Sequence, residues 1–323
     1  MRQTITQLLQ SAYRKIDKLD TDLLLSFVLG KPREYFIIHG DETINAAITN
    51  KFNKLVKKRK TGVPLAYLTL HKEFFGLDFL VNKHTLIPRP DTEILVEQVI
   101  ETINKHTCHS RPRLHEGKLR TGKPVLIYNQ PPTFLDPRFR EDDKLVLIDV
   151  GTGSGCIPIS ILKNIKEIKT FAIDISKKAL IIARKNAKKH GVKIKFLHGN
   201  LLQPFLNSKF QILNSSVIIT ANLPYLTEKQ YKKEKSIKFE PKSALVAKKE
   251  GMALYEKLLN QVKQLTNLVP SPYNLVPIIY LEIDPSQSEK ITVLINKILP
   301  KAKIAIKKDI SGCDRVVIIT QKI

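Results

Sequence analysis

The run Asn222-Leu223-Pro224-Tyr225 follows an apolar stretch, Val217-Ile218-Ile219-Thr220-Ala221. These four residue types suit one task, which is to hold a planar NH2 group. The nitrogen of an amide or aromatic amine is a poor nucleophile, because its lone pair is delocalised. Such a nitrogen needs a fixed orientation more than a strong base. The Asn222 side-chain oxygen and the backbone carbonyl of Leu223 or Pro224 can accept its two N–H bonds, an effect of proximity and alignment. Pro224 stiffens the backbone and has no N–H to compete. Tyr225 offers a flat face for stacking. The plain alternative is a turn with a buried tyrosine. The segment alone does not choose between a glutamine amide and an adenine amine.

A second constellation lies upstream. Gly151-Thr152-Gly153-Ser154-Gly155 follows the apolar run Leu145–Asp149 and precedes a helical pattern. Glycines let a chain turn sharply and let a ligand approach its amides. The spacing is Gly-x-Gly-x-Gly, not the Gly-x-Gly-x-x-Gly of dinucleotide binders. Asp174 ends the next apolar run, where a carboxylate can accept from both ribose hydroxyls. Loop and acid together suit S-adenosylmethionine, with its methionine part at the loop and its ribose at Asp174. On this evidence some dehydrogenases stay open, and so does a bare turn with a helix cap. After the third run, Asn200 can serve the adenine amino group through its side-chain oxygen, and Leu201 can pack on the purine. With this donor, Asn222 to Tyr225 would aim the acceptor nitrogen at a methyl group, and a dry site would help as the sulfonium loses its charge.

The elements that must position these residues are readable from periodicity. From residue 145 onward, apolar runs alternate with 3.6-period patterns, which predicts a parallel sheet covered on both faces. The runs Ala302–Ile306 and Arg315–Thr320, turned at Gly312, predict a final antiparallel pair. Residues 1–62 read as helices: Ile5, Leu8, Leu9, Ala12 and Ile16 on one, Leu23–Val28 ending at Gly30 on the next, and Ile44–Val56 on a third. Residues 63–90 predict a hairpin around Gly76 and an extended Ile87-Pro88-Arg89-Pro90, since each proline pushes its predecessor out of helical space. Asp91 or Thr92 is expected to cap the helix that follows. Residues 104–144 are polar and aperiodic and predict a surface insertion.

The composition sets outer limits. The 323 residues are 42% hydrophobic, ordinary for a globular protein. With no apolar run of membrane length and no apolar N-terminal stretch, a cytoplasmic protein with no membrane association is expected. The three cysteines include no Cys-x-x-Cys pair. Cys108 has His106, His109 and His115 nearby, but in an aperiodic segment. No metal site is expected there, because one would need rigid tetrahedral ligands. The formal net charge of +24 fits either free use of lysine or steering toward an RNA-rich partner such as the ribosome.

Several longer segments resemble the peptide chain release factor glutamine N5-methyltransferases: Gly62–Leu68, Phe74–Phe79, Leu86-Ile87-Pro88-Arg89-Pro90-Asp91-Thr92-Glu93, Asp149–Gly155, Asp174, Glu240-Pro241 with Ala244-Leu245, Glu250-Gly251, Leu281-Glu282-Ile283 and Asp309–Val316. The Leu86–Glu93 segment is the most specific of these. The resemblance covers most of the chain outside 104–144. It implies a helical substrate-recognition domain at 1–62, a hairpin linker at 63–90, and at 91–323 a seven-stranded, mostly parallel, Rossmann-like methyltransferase domain of the α/β class. It also implies methylation, by a monomer, of the glutamine in the Gly-Gly-Gln tip of class 1 release factors. Carried over, Gly151, Thr152, Gly153, Ser154, Gly155, Asp174, Leu201 and Asn222 touch the cofactor. Asn222, Leu223, Pro224 and Tyr225 hold the glutamine, with Asn222, Pro224 and Tyr225 as the catalytic set. Arg89 and Thr92 lie near the cofactor entrance.

This chain departs from the family's pattern in places. Leu223 stands where the family has a proline; its carbonyl survives, though the loop loses rigidity. Asn200 stands where an acid is usual, and Asp284 where glycine is usual. Asn-Leu-Pro-Tyr also occurs in ribosomal RNA adenine dimethyltransferases. The alternatives are therefore an RNA adenine N6-methyltransferase, a ribosomal-protein glutamine methyltransferase, and a catalytically silent RNA- or ribosome-binding protein.

Overall fold

The computed structural model describes residues 3–107, 144–165, 168–207, 215–234, 236–268 and 277–321. The polar segment expected at 104–144 therefore lies largely outside the described residues, as do Cys108, His109 and His115.

The N-terminal part is helical. It comprises α1 (Ile5–Tyr13), α2 (Lys18–Leu29), the short α3 (Tyr35–Ile38), α4 (Ala46–Lys60) and α5 (Leu65–Thr69), with two-residue strands β1 (Gln3–Thr4) and β2 (Thr43–Ile44) pairing antiparallel. Thr4, Asp17 and Asn45 cap α1, α2 and α4 through their side chains, satisfying amides that have no partner inside a helix. Gly30 ends α2 with φ +65°. Ile5, Leu8, Leu24, Leu25, Phe52 and Val56 form a core of their own. The pattern did not reveal α3, α5 or the β1–β2 pair. Asp22 is buried on α2 among apolar residues because it accepts from the Tyr13 hydroxyl at 2.6 Å.

The hairpin is β3 (His71–Phe74) and β4 (Leu77–Leu80). Phe75 and Gly76 make its turn with φ of 53° and 70°. A phenylalanine at positive φ is costly. It is held there by a buried ring and by its amide, which donates to Glu93 Oε1 at 3.0 Å. A single 3-10 turn, Pro90–Thr92, leads into α6 (Glu93–Thr107). No side chain caps that turn, so the expected capping role of Asp91 or Thr92 is not seen. Asp91 pairs with Arg315 at 3.2 Å instead.

The rest alternates as β5 (Lys144–Val150), α7 (Cys156–Asn164), β6 (Lys169–Asp174), α8 (Lys177–His190), β7 (Lys195–His198), α9 (Gln203–Leu206), β8 (Ser215–Ala221), α10 (Glu228–Lys233), α11 (Ala253–Asn267), β9 (Ile278–Glu282), α12 (Ser288–Ile298), β10 (Ala302–Lys308) and β11 (Asp314–Gln321). Seven strands form one sheet in the order β10-β11-β9-β8-β5-β6-β7. The run from β9 to β7 is parallel, and β11 is antiparallel to both its neighbours.

Both faces of the sheet are covered, which is why β5 reads as a continuous apolar run. Val146, Ile148 and Val150 pack toward α11 and α12. Leu147 packs toward α6, α7 and the hairpin phenylalanines. The sheet order reverses at β5, between β6 and β8, and the two candidate segments leave the C-terminal ends of β5 and β8. That is where an open α/β sheet binds its ligands. Among the described residues, no helix is long and apolar enough to cross a membrane.

Candidate active site

The glycine loop is held by its own neighbourhood. Gly151 and Thr152 donate backbone N–H bonds to the Ile173 carbonyl at 2.8 and 3.0 Å. Gly153 donates to Asp174 Oδ2 at 2.8 Å, and Ser176 to Asp174 Oδ1 at 2.7 Å. Gly151, Gly153 and Gly155 have φ of 76°, 55° and 82°. A Cβ on Gly155 would meet Ile159 Cδ1 at 3.1 Å and Ala183 Cβ at 3.3 Å. Gly155 therefore lets α7 approach α8, and it is absent from the cavity wall on which Gly151, Thr152, Gly153 and Ser154 lie.

That cavity measures about 410 Å³ and includes Asp174, Asn200 and Leu201 in its wall. Burial pushes the Asp174 carboxyl up from its ordinary range, against the Ser176 and Gly153 amides that favour its charge. Asp149, beneath the loop, is fully buried and accepts from Thr220 Oγ1 at 2.7 Å. Burial pushes it up to about 6, opposed by the Thr152 and Thr220 hydroxyls and reinforced by the charge of Asp174. Among the described residues, Asp149 Oδ2 and Thr152 Oγ1 are buried with no partner other than each other.

A second cavity, also about 410 Å³, has Tyr225, Leu226, Gln230, Lys233 and Ile237 on its wall. Leu86, Arg89, Asn222, Leu223, Pro224 and Ala244 line both cavities. The two spaces therefore meet at the segment singled out from sequence. Thr92 faces only the first, and Tyr225 only the second.

The acceptor segment is held by distant parts of the chain. Asn222 Nδ2 donates to Thr92 Oγ1 at 3.1 Å, which leaves Oδ1 as its accepting end. The Tyr225 carbonyl accepts from Gln287 Nε2 at 2.9 Å. A Cβ on Gly251 would lie 2.1 Å from that carbonyl oxygen. Leu226 donates to Leu245 at 2.9 Å and accepts from Ala247 at 3.0 Å. Among the described residues, no hydrogen bond takes the Leu223 or Pro224 carbonyl. Leu223 is buried, its Cδ2 3.2 Å from where a Gly151 Cβ would stand, so it braces one candidate segment on the other.

Glu240 clamps the Leu86–Glu93 segment, accepting from the Ile87 amide at 3.0 Å and pairing with Arg89. Asn186 was not foreseen. Its side chain bridges the Leu80 backbone at 2.8 and 2.9 Å to the Ser154 carbonyl at 2.8 Å, tying hairpin to glycine loop. Glu282 lies fully buried at the end of β9, with Oε2 unpartnered. Burial pushes its carboxyl up to about 7, against the hydroxyls of Thr92 and Tyr225 and the charge of Arg315. The Tyr225 hydroxyl is also raised, first by burial and then by Glu282. Among the described residues, no three His, Cys, Asp or Glu side chains cluster as metal ligands.

The PrmC N-terminal domain family matches residues 1–69, and the methyltransferase small domain family matches residues 132–251. The release factor glutamine methyltransferase of Enterococcus faecalis is 31% identical, over 90% of this chain and 87% of its own length. The chain belongs to the release factor glutamine methyltransferase family. The enzyme of that name from Bacillus anthracis is 28% identical over 92% of this chain and 90% of its own. The bifunctional methyltransferase of Rickettsia conorii is 34% identical over 98% of this chain, which spans only 58% of that relative's length. Across the similarly named Rickettsia typhi protein the span is 52%. Among solved structures, the catalytic domain of human METTL16 with MAT2A 3'UTR hairpin 1 superposes with a TM-score of 0.51 at 13% identity. It covers 92% of this chain and 90% of its own, a likeness of fold alone.

Proposed function

We propose that the protein transfers a methyl group from S-adenosylmethionine to the side-chain amide nitrogen of a glutamine, and that this glutamine lies in the Gly-Gly-Gln tip of a class 1 release factor. The observation that carries this reading is the common wall: Asn222, Leu223 and Pro224 line both cavities. A donor in one space and an acceptor in the other would meet at residues suited to orient a planar NH2 group. Family membership supports the choice of glutamine.

The residues on the first wall fit the donor. Asp174 presents a buried carboxylate at the end of β6, as a ribose requires. Gly153 has positive φ, and a Cβ there would meet only the Gly151 carbonyl oxygen at 4.0 Å, so a ligand can approach the backbone. A cavity of about 410 Å³ is of ligand size. When bound, the donor supplies an electrophilic methyl carbon on a sulfonium.

The remaining work falls to the chain's own residues. Thr92 fixes the Asn222 amide by accepting from Nδ2, which presents Oδ1 to one N–H of the acceptor. The free carbonyl of Leu223 or Pro224 takes the other. Tyr225 stays a neutral phenol, its hydroxyl raised by burial, and offers a ring face to the amide plane. Holding the nitrogen in line converts an encounter into a near-attack geometry. Residues 1–62 serve as the substrate-recognition domain, the hairpin at 63–90 joins it to the catalytic domain at 91–323, and Arg89 and Thr92 stand at the mouth of the donor space.

The test uses the full chain with labelled S-adenosylmethionine and, in parallel, a class 1 release factor, ribosomal RNA and total ribosomal protein. The reading requires label on the release factor's Gly-Gly-Gln peptide. Label confined to RNA or to a ribosomal protein would reject it.

A further inference from the structure

The stretch Lys177–His198 contains eight lysines and arginines and no aspartate or glutamate. Folding gathers part of it on one surface. Between α8 and the edge strand β7 runs an open groove of about 670 Å³, with Lys169, Arg184, Lys188, Lys193 and Lys195 on its wall. All five are exposed, and no carboxylate lies on that wall among the described residues. Among the described residues, Lys169, Arg184, Lys188 and Lys193 form no ion pair. This contrasts with α4, whose Arg59 pairs with Asp20 at 2.6 Å, and with Lys189, which pairs with Asp78 at 2.5 Å.

Three of the five cations are placed by aromatic rings. Arg184 stands 5.6 Å from the Phe196 centroid on the α8 side of the sheet, whereas Lys169 and Lys195 stand 5.5 and 5.9 Å from that of Phe171, a buried ring on the opposite face, so that they flank the groove at the sheet edge. Such contacts hold a long side chain over one spot while leaving its charge in solvent. Like charges gathered this closely repel one another, and a chain of anions relieves that repulsion while releasing its own counterions. The Phe196 ring on the wall is already covered by Arg184, so base stacking is not what the groove offers. It offers a row of charges for a row of phosphates. The groove lies at the N-terminal ends of β6 and β7, which begin at Lys169 and Lys195, whereas the two site cavities lie beyond the C-terminal strand ends. An occupant here leaves the methyl-transfer site open.

We propose that this groove binds the sugar-phosphate backbone of single-stranded RNA without base preference. The choice of RNA over DNA rests on the reading of the acceptor as a translation factor; the groove itself does not.

The experiment is fluorescence anisotropy of a labelled mixed-sequence RNA 20-mer against the full chain across a salt series, with no methyl transfer required. Four or five phosphate contacts give log K against log salt a slope of about −3 for a single strand. The triple variant Arg184→Glu, Lys188→Glu, Lys193→Glu is expected to weaken binding at least about tenfold and to flatten the slope by about 2. A control with the same charge change, Lys57→Glu, Lys58→Glu, Lys60→Glu on α4, is expected to keep the slope. If the reversals disturb folding by circular dichroism, Lys188→Gln with Lys193→Gln should still flatten the slope by about 1.4. Equal loss in both triple variants would assign binding to net charge and overturn the proposal. So would absent RNA binding, or tighter binding of duplex DNA or polyglutamate. Because binding is read without turnover, these failures are separate from any failure of the glutamine reading.

Discussion

The glycine loop and the acceptor segment leave neighbouring strands, β5 and β8, paired from Lys144↔Ser215 to Val150↔Ala221, yet they are built in opposite ways. The glycine loop is fixed by the next strand: Ile173 and Asp174, about one strand-helix unit away, receive its amides. The acceptor segment depends on Thr92, 130 residues earlier, and on Gln287, 62 residues later. The glycine loop draws most of its bonds from the next strand, with Asn186 of α8 adding one at Ser154, whereas the acceptor segment is assembled by the tertiary fold. Changes far from Asn222 should therefore damage turnover while leaving donor binding near the parent value.

The largest such effect is expected at Gly251, where a new Cβ would stand 2.1 Å from the Tyr225 oxygen and 2.3 Å from Gln287 Nε2. Gly251→Ala must shift the acceptor segment, and misplacement by about 1 Å costs on the order of 100-fold in rate. Equilibrium binding of S-adenosylmethionine, measured by calorimetry, should not follow. A parallel loss of donor affinity would break the distinction between the two segments.

Thr92→Val removes the acceptor of the Asn222 Nδ2 bond while keeping shape. The loss of one oriented hydrogen bond of about 1.4 kcal/mol predicts roughly tenfold slower turnover. Thr92→Ser should restore most of it in steady-state assays. Failure of serine to rescue would assign the effect to packing.

The smallest effect concerns stability. Glu282 titrates near 7 in the folded chain against an ordinary 4.5. The fold thus favours its neutral form, so its contribution to stability is complete below about pH 4.5 and is lost as pH rises through 7. Glu282→Gln should melt with the parent at pH 4.5 and above it at pH 8, by about 2–4 °C per kcal/mol relieved. Identical pH dependence of the two melting temperatures would contradict that account of the buried acid.

The same contrast explains what the sequence made legible. Gly-x-Gly-x-Gly, Asp174 and the strand-helix alternation are local signals, and the seven-stranded sheet follows them closely. A helix end was legible where the terminating residue lies beside its helix, as at Gly30. Long-range partners leave no periodic trace. Nothing near Asn186 shows that it would join Leu80 to Ser154, and nothing near Gln287 shows that it would hold Tyr225. Thr92 was placed near the donor entrance, but its bond to Asn222 was not foreseen, and its expected capping role gave way to a 3-10 turn. Gly155 belongs to the readable pattern, yet its place is between helices rather than on the cavity wall.

The most direct measurement is single-turnover methylation of a class 1 release factor by Asn222→Ala, alongside its equilibrium affinity for S-adenosylmethionine. The account predicts a rate at least about 100-fold below the parent, with donor affinity largely kept. An unchanged rate would remove Asn222 from the chemistry, and with it the claim that the two cavities meet at the reacting groups.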